Sequence, residues 1–216
     1  MVMAGRVLAL GTRVNAPYHP FENAEARFMD ILRDVCDLEC GDDPGALSDP
    51  LGWAGVLSYL DEWKEKPRAE WAAGLTRFVA EGGGLLLLHN GICVQSDPLI
   101  EEMIGGRFLN HPAQEEITFT PGGLLQDCRP FTVKEEPYRF ALKDPGEMIL
   151  TYDQGGETYP AGWRRTYGKG RVAYLCPGHT GEIFDIPAYR DMIRKCMRWC
   201  LGEDIGCSPR CRDGMA

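Results

Sequence analysis

The chain has no concentration of basic residues. Its 216 residues carry 23 Lys and Arg against 32 Asp and Glu, a formal net charge of −9. A surface of that sign repels phosphate backbones, which argues against a nucleic-acid partner and says nothing against a neutral ligand. No apolar run reaches the roughly 20 residues that a membrane-crossing helix needs, so no membrane partner is expected. Met1 to Leu10 lacks the basic start, apolar core and cleavage site of a secretory signal. The expectation is a cytoplasmic protein whose nine cysteines, an odd number, are thiols and not a disulfide framework. Internal repeats and low-complexity stretches are missing too. Histidine is scarce, with four in the chain, and neither His-x-His nor His-Glu-x-x-His spacing occurs. A metal site would have to be assembled across the fold and not along one helix.

What is present reads as one domain, large enough to bury a core without disulfides or metal. It is expected over residues 1–202, with residues 203–216 as a poorly ordered tail. Three segments have helical periodicity. Phe21, Phe28, Met29, Leu32 and Val35 share one face, and Trp71, Leu75, Phe78 and Val79 another, with Pro67 near its start. Tyr189, Met192, Ile193, Cys196, Met197 and Cys200 form a third stripe, opened by Asp185 and Pro187. A shorter helix is predicted from Pro98 to Ile104, capped by Asp97 and stopped at Gly105-Gly106.

Short apolar runs lie between them: Val7–Leu10, Val56–Tyr59, Leu85–Leu88 and Val172–Cys176. Continuous apolarity suits strands buried on both faces, and the β-α-β order predicts a doubly wound, mainly parallel sheet with right-handed crossovers. Glu116–Pro121, Glu147–Thr151 and Gly162–Tyr167 read as antiparallel strands at its edge. Tyr167-Gly168-Lys169-Gly170 is a hairpin turn between two strands and not a phosphate loop.

Ligands of open α/β sheets bind outside the carboxyl ends of the strands. His19 follows the first strand, His89 directly follows Leu85–Leu88, and His179 follows the last strand in Cys176-Pro177-Gly178-His179-Thr180. His111, in Asn110-His111-Pro112, can reach the same rim. Carboxylates accompany them. Glu22 and Glu182 each follow a histidine by three residues, and Glu115 and Glu116 would point to opposite faces of a strand. Histidines with carboxylates either bind a divalent metal such as zinc or move protons at neutral pH. Glu22 reads equally well as a helix N-terminal charge. Tyr138 and Trp163 could each offer a flat face to a ring or belong to the core. Cys196 and Cys200 belong to the apolar stripe of the last helix, so with Cys207 and Cys211 they read as core and tail in preference to a zinc site.

The stretches Gly82-Gly83-Gly84-Leu85-Leu86-Leu87-Leu88-His89, Gly105-Gly106-Arg107-Phe108 with His111-Pro112, Trp163 to Val172, and Pro177-Gly178-His179-Thr180, followed by the Trp199 helix, resemble ThuA-like proteins. That family is named for trehalose utilisation and is related in fold to class I glutamine amidotransferases. The resemblance spans roughly residues 5 to 202. It implies a three-layer α/β/α sandwich around a flavodoxin-like sheet, and a role in disaccharide or keto-sugar metabolism. In the glutaminase relatives a cysteine occupies the turn after the central strand, where this chain has His89, so glutaminase activity is not expected. Cys93, within Asn90-Gly91-Ile92-Cys93, reads as a buried helix residue.

The resulting expectation is an enzyme that isomerises, epimerises or cleaves a carbonyl sugar by proton transfer beside the carbonyl. His89 and His179 would be the acid/base pair, with Glu182. His19, Glu22, Asn90, His111, Glu115, Tyr138 and Trp163 would bind substrate. Any divalent metal, zinc for example, would be held by His19, His89, His111 and His179. The alternatives are a non-catalytic sugar-binding or regulatory module, and an amidase-type hydrolase using Cys93 with His179 and Glu182. The partner is a small molecule, with a homo-oligomer left open.

Overall fold

A computed structural model describes residues 5–63 and 68–205. The chain runs β1 (Arg6–Gly11), α1 (Glu22–Leu32), β2 (Asp37–Gly41), β3 (Gly55–Tyr59), α2 (Ala69–Glu81), β4 (Gly84–Leu88), α3 (Pro98–Ile104) and β5 (Gly106–Asn110). It continues through β6 (Glu115–Pro121), β7 (Phe131–Glu135), β8 (Arg139–Leu142), β9 (Glu147–Gln154), β10 (Glu157–Tyr167), β11 (Gly170–Leu175) and α4 (Pro187–Cys200). The main sheet has nine strands in the order β2-β1-β3-β4-β11-β10-β9-β6-β7. The first five are mutually parallel. From β10 onward every pairing is antiparallel. β5 and β8 form a separate two-stranded ribbon.

The apolar runs explain the parallel half. Every residue of β3 and β4 is buried, because helices cover both faces. α1 packs beside α4 and α2 beside α3, which completes the three layers. All six residues of the predicted α4 stripe are buried, each fully buried large apolar side chain contributing about 1.5–3 kcal/mol. α3 has the predicted bounds, and the Asp97 carboxylate accepts from the Leu99 N–H at 2.9 Å. The Tyr167–Gly170 hairpin closes β10 onto β11 as expected.

Some details differ. Met29 is exposed, and Ala24 and Ile31 complete the buried face of α1 instead. Trp71 is only half buried, Ala72 taking the inward position. Asp185 does not cap α4, because its carboxylate is held by the Arg27 guanidinium. Four short strands, β2, β5, β7 and β8, were not predicted. Residues 203–205 are tied back to α4, the Glu203 N–H donating to Arg198 O at 3.0 Å. Pro67, Cys207 and Cys211 lie outside the described residues, as does the rest of the predicted tail. Among the described residues no helix is long and apolar enough to cross a membrane.

Candidate active site

β1, β3, β4 and β11 end at one rim, and a polar residue follows each within four positions: Thr12, Asp61, His89 and His179. His89 follows β4 with no spacer and adopts φ = +46°, a left-handed conformation that costs a non-glycine residue about 1–3 kcal/mol. Its surroundings enforce it. The Asn90 side-chain amide donates to the carbonyls of Tyr59 at 3.0 Å and Leu60 at 2.9 Å. The Ser58 hydroxyl donates to Gly91 O at 3.0 Å, and Tyr174 OH donates to His89 O at 3.3 Å. The His89 ring is completely buried, with Nδ1 2.7 Å from the Cys176 carbonyl.

His19 is placed by Asp61, which follows β3: Nδ1 lies 3.1 Å from Asp61 Oδ2. Asp61 is in turn fixed by its backbone N–H donating to the Thr12 hydroxyl at 2.8 Å. His179 lies on the loop after β11, and Glu135, the last residue of β7, holds that loop. Glu135 Oε2 accepts from the N–H groups of Gly178 at 2.9 Å and His179 at 3.1 Å. The next residue, Glu136, then reaches His179 Nδ1 at 3.2 Å and His89 Nε2 at 3.5 Å.

One ligand atom from each of His19, His89, Glu136 and His179 lies within 4.8 Å of all the others. Their tautomers follow from their outer partners. A carbonyl only accepts, so His89 carries its proton on Nδ1, and the Asp61 carboxylate puts the His19 proton on Nδ1 as well. Both Nε2 lone pairs therefore point inward, 3.2 Å apart, and His179 Nδ1 is 3.1 Å from the His19 Nε2. Facing lone pairs repel unless a proton or a cation lies between them.

The electrostatics agree. Burial, with smaller contributions from the neighbouring histidines, holds the His19 pKa below its ordinary value despite Asp61. The hydrogen bond to Glu136 raises that of His179 against its burial. Burial pushes the Glu136 carboxyl up, but the hydrogen bonds and charges of His179 and His89 outweigh it and hold the group well below the carboxylate range. Burial lifts the Tyr138 phenol well above its ordinary value, so it keeps its proton at neutral pH. Its hydroxyl lies 3.2 Å from His89 Nε2, and its ring stacks between those of His89 and His111.

A cavity of about 480 Å³ opens onto the cluster at His19 and Glu136. Asp61 and Tyr138 line it beside them, and Tyr18, Trp63, Phe108 and His111 complete the wall. A second cavity of about 300 Å³ lies on the other side of His19, against His179, Asn23, Thr180 and Glu182.

Three of the four histidines thus converge. His111 does not join them: it is exposed, its Nδ1 faces Pro112 O at 2.9 Å, and its Nε2 stands 3.8 Å from Glu136. Glu136 takes the fourth position because β7 delivers it there, whereas His111 stays on the outer wall. Glu182 is exposed at the rim of the second cavity and bonds locally, so the carboxylate of His179 is Glu136. Glu22 projects from the first turn of α1 with Arg13 3.9 Å away, as a helix-start charge does. Glu115 is exposed on β6 and accepts from Gln154, away from the cluster. Asn90 is spent on β3 and its loop, though its Oδ1 has no partner among the described residues. Trp163 is core: it is fully buried, donates to Ile104 O at 2.8 Å, and lines neither cavity. Cys93 is buried on a 3₁₀ turn, and burial pushes its thiol up to about 12. Asp61, Glu135 and Glu136 were not anticipated.

A family model described as "ThuA: Trehalose utilisation" matches residues 13–200. Comparison with curated proteins gives no match. Among solved structures, a protein described as ThuA-like from Parabacteroides merdae is similar at 13% identity and a TM-score of 0.77, over 94% of this chain and 92% of that one. Another described as ThuA-like, from Bacteroides uniformis, gives 15% identity and a TM-score of 0.75 over 92% of each chain. A cytoplasmic protein from Salmonella typhimurium LT2 is similar at 13% identity and a TM-score of 0.62, over 90% of this chain and 99% of that one. At such identities the structural likeness establishes the fold alone.

Proposed function

The chain belongs to the ThuA family of trehalose utilisation, and we propose on that premise that it is a metal-dependent enzyme acting on a carbonyl sugar. The family supports carbohydrate metabolism. The observation that carries the metal is the pair of inward lone pairs on His19 and His89, 3.2 Å apart, with both Nδ1 protons committed elsewhere. His19 and His89 would bind through Nε2, His179 through Nδ1 and Glu136 through a carboxylate oxygen. Three imidazoles and one carboxylate suit zinc or a similar divalent ion. Asp61 and the Cys176 carbonyl orient two of the rings from outside, as such sites require. A cation bound there would supply Lewis-acid polarisation of a carbonyl or hydroxyl oxygen where it keeps a coordination position for substrate beside the protein ligands.

This chain's own residues would do the rest. His89 is completely buried, so the acid/base work belongs to groups that line the cavity. Tyr138 retains its proton and presents a hydroxyl that can donate to a substrate oxygen. His111 is exposed beside it and can exchange protons with solvent, which suits a shuttle for a carbon acid next to a carbonyl. Isomerisation, epimerisation and cleavage beside the carbonyl all need that pair of roles.

The test is a titration of the purified, metal-stripped protein with zinc by calorimetry and with cobalt(II) by absorption. One equivalent should bind, and His19→Ala and Glu136→Gln should each lose it. A wild-type chain that binds neither ion ends the metal reading. Turnover of a keto-sugar by the stripped protein would leave pure acid/base chemistry.

A further inference from the structure

Large aromatic rings left in water forgo the stabilisation of burial. Among the described residues, the exposed aromatic side chains are Tyr18 at 72% and Trp63 at 39%. They come from different loops, one after β1 and one after β3, yet both line the cavity that opens onto the cluster. Trp63 continues inward as an aromatic wall. Its ring centroid is 5.1 Å from that of Phe108, and Phe108 is 4.3 Å from Tyr138. The same cavity carries Asp61, His111 and Glu136, so its lining is aromatic on one part and hydrogen-bonding on another.

We propose that Tyr18, Trp63 and Phe108 form the stacking platform of the substrate site, taking the apolar C–H face of a cyclic sugar. This rests on the reading of the chain as a carbohydrate enzyme and adds where the ring lies. A pyranose has the matching division: C–H groups across a ring face and hydroxyls around its edge. With a face against Trp63 and Phe108, edge hydroxyls reach the Asp61 and Glu136 side of the cavity. A purely apolar ligand would desolvate those carboxylates and offer them no hydrogen bond in return. An acyclic polyol offers no ring face to the wall. The volume, about 480 Å³, falls within the range of small-molecule sites. The platform residue is thus Trp63 and not the buried Trp163.

The experiment uses the full chain with zinc present, and titrates the cyclic carbonyl sugars glucose and fructose, with the acyclic polyol sorbitol beside them. Tryptophan fluorescence and saturation-transfer NMR report binding. The cyclic sugars should shift the fluorescence and receive saturation at their ring C–H protons, while sorbitol at equal concentration should do neither. Trp63→Ala should weaken binding roughly tenfold or more, Trp63→Phe should retain most of it, and zinc affinity should be unchanged in both. Equal binding by Trp63→Ala, equal binding of sorbitol, or no binding of either cyclic sugar to the wild type overturns the platform. Zinc binding without sugar binding refutes the platform alone, and sugar binding without zinc binding refutes the metal reading alone.

Discussion

Four of the five parallel strands, β1, β3, β4 and β11, are buried on both faces, and three of them lead into histidines, whereas the antiparallel extension exposes one face and ends in carboxylates and aromatics. β3 and β4 have no exposed residue, while β6 and β7 alternate between buried and exposed positions. His19, His89 and His179 come from the first group; Glu135, Glu136 and Tyr138 come from the end of β7 and the chain just after it. The site exists only where the two meet. Glu135 is the stitch, a buried carboxylate of the antiparallel half that accepts two N–H groups from the loop carrying His179. A sheet extended in this way adds chemistry to a parallel scaffold without disturbing the strands that place the histidines.

The largest effect should come from breaking the parallel side. A Cβ on Gly91 would lie 1.9 Å from the Ser58 carbonyl oxygen, backbone that cannot give way locally. Gly91→Ala should therefore cost about 3 kcal/mol and abolish zinc binding by displacing His89. In the antiparallel half, a Cβ on Gly155 meets nothing within 4 Å, and only its φ of +62° opposes a side chain. Gly155→Ala should cost about 1 kcal/mol and leave the site intact. Denaturant unfolding of the two variants makes the comparison, and a greater loss at Gly155 would invert it.

Next in size are the outer partners, one from each half. Asp61→Asn removes the charge that orients His19, and Glu135→Gln weakens the hold on the His179 loop. Each should lower zinc affinity roughly tenfold, read by competition with a chelator of known affinity. If Asp61→Asn alone has this effect, the antiparallel half supplies a ligand but does not orient the site.

The same contrast governs what could be read in advance. Leu85–Leu88 and the α4 stripe are continuous and bounded by turns, so four of the five parallel strands, the helices and the three convergent histidines were legible. β7 was not: Thr132 and Lys134 face solvent while Glu135 is buried, so the segment lacks an apolar signature. With β7 unseen, nothing set Glu135 and Glu136 apart from the chain's other carboxylates, and His111 stood where Glu136 belongs. β2 was hidden similarly by Asp37, Glu39 and Gly41. Asp61 stands at the end of β3 much as His89 stands at the end of β4. An aspartate after a strand is also an ordinary turn residue, and that masked it. Trp163 lay within a predicted strand and drew the stacking role, while Trp63, in a loop, did not.

The smallest effect is expected at Cys93, and it tests whether the parallel scaffold carries a nucleophile of its own. A nucleophilic cysteine needs a depressed pKa and access to substrate. Cys93 has neither: burial pushes its pKa up to about 12, and it lines neither cavity at the rim. Its sulfur accepts from the Glu62 N–H and donates to Leu60 O, both at 3.3 Å, and so serves the loop that carries Asp61. Cys93→Ala should cost about 1 kcal/mol of stability and leave zinc affinity within twofold, about 0.4 kcal/mol. Native protein treated with iodoacetamide at neutral pH should show no alkylation of Cys93 by peptide mass mapping until it is unfolded. Rapid, selective alkylation of the folded chain would restore the cysteine mechanism and make the histidine cluster its support.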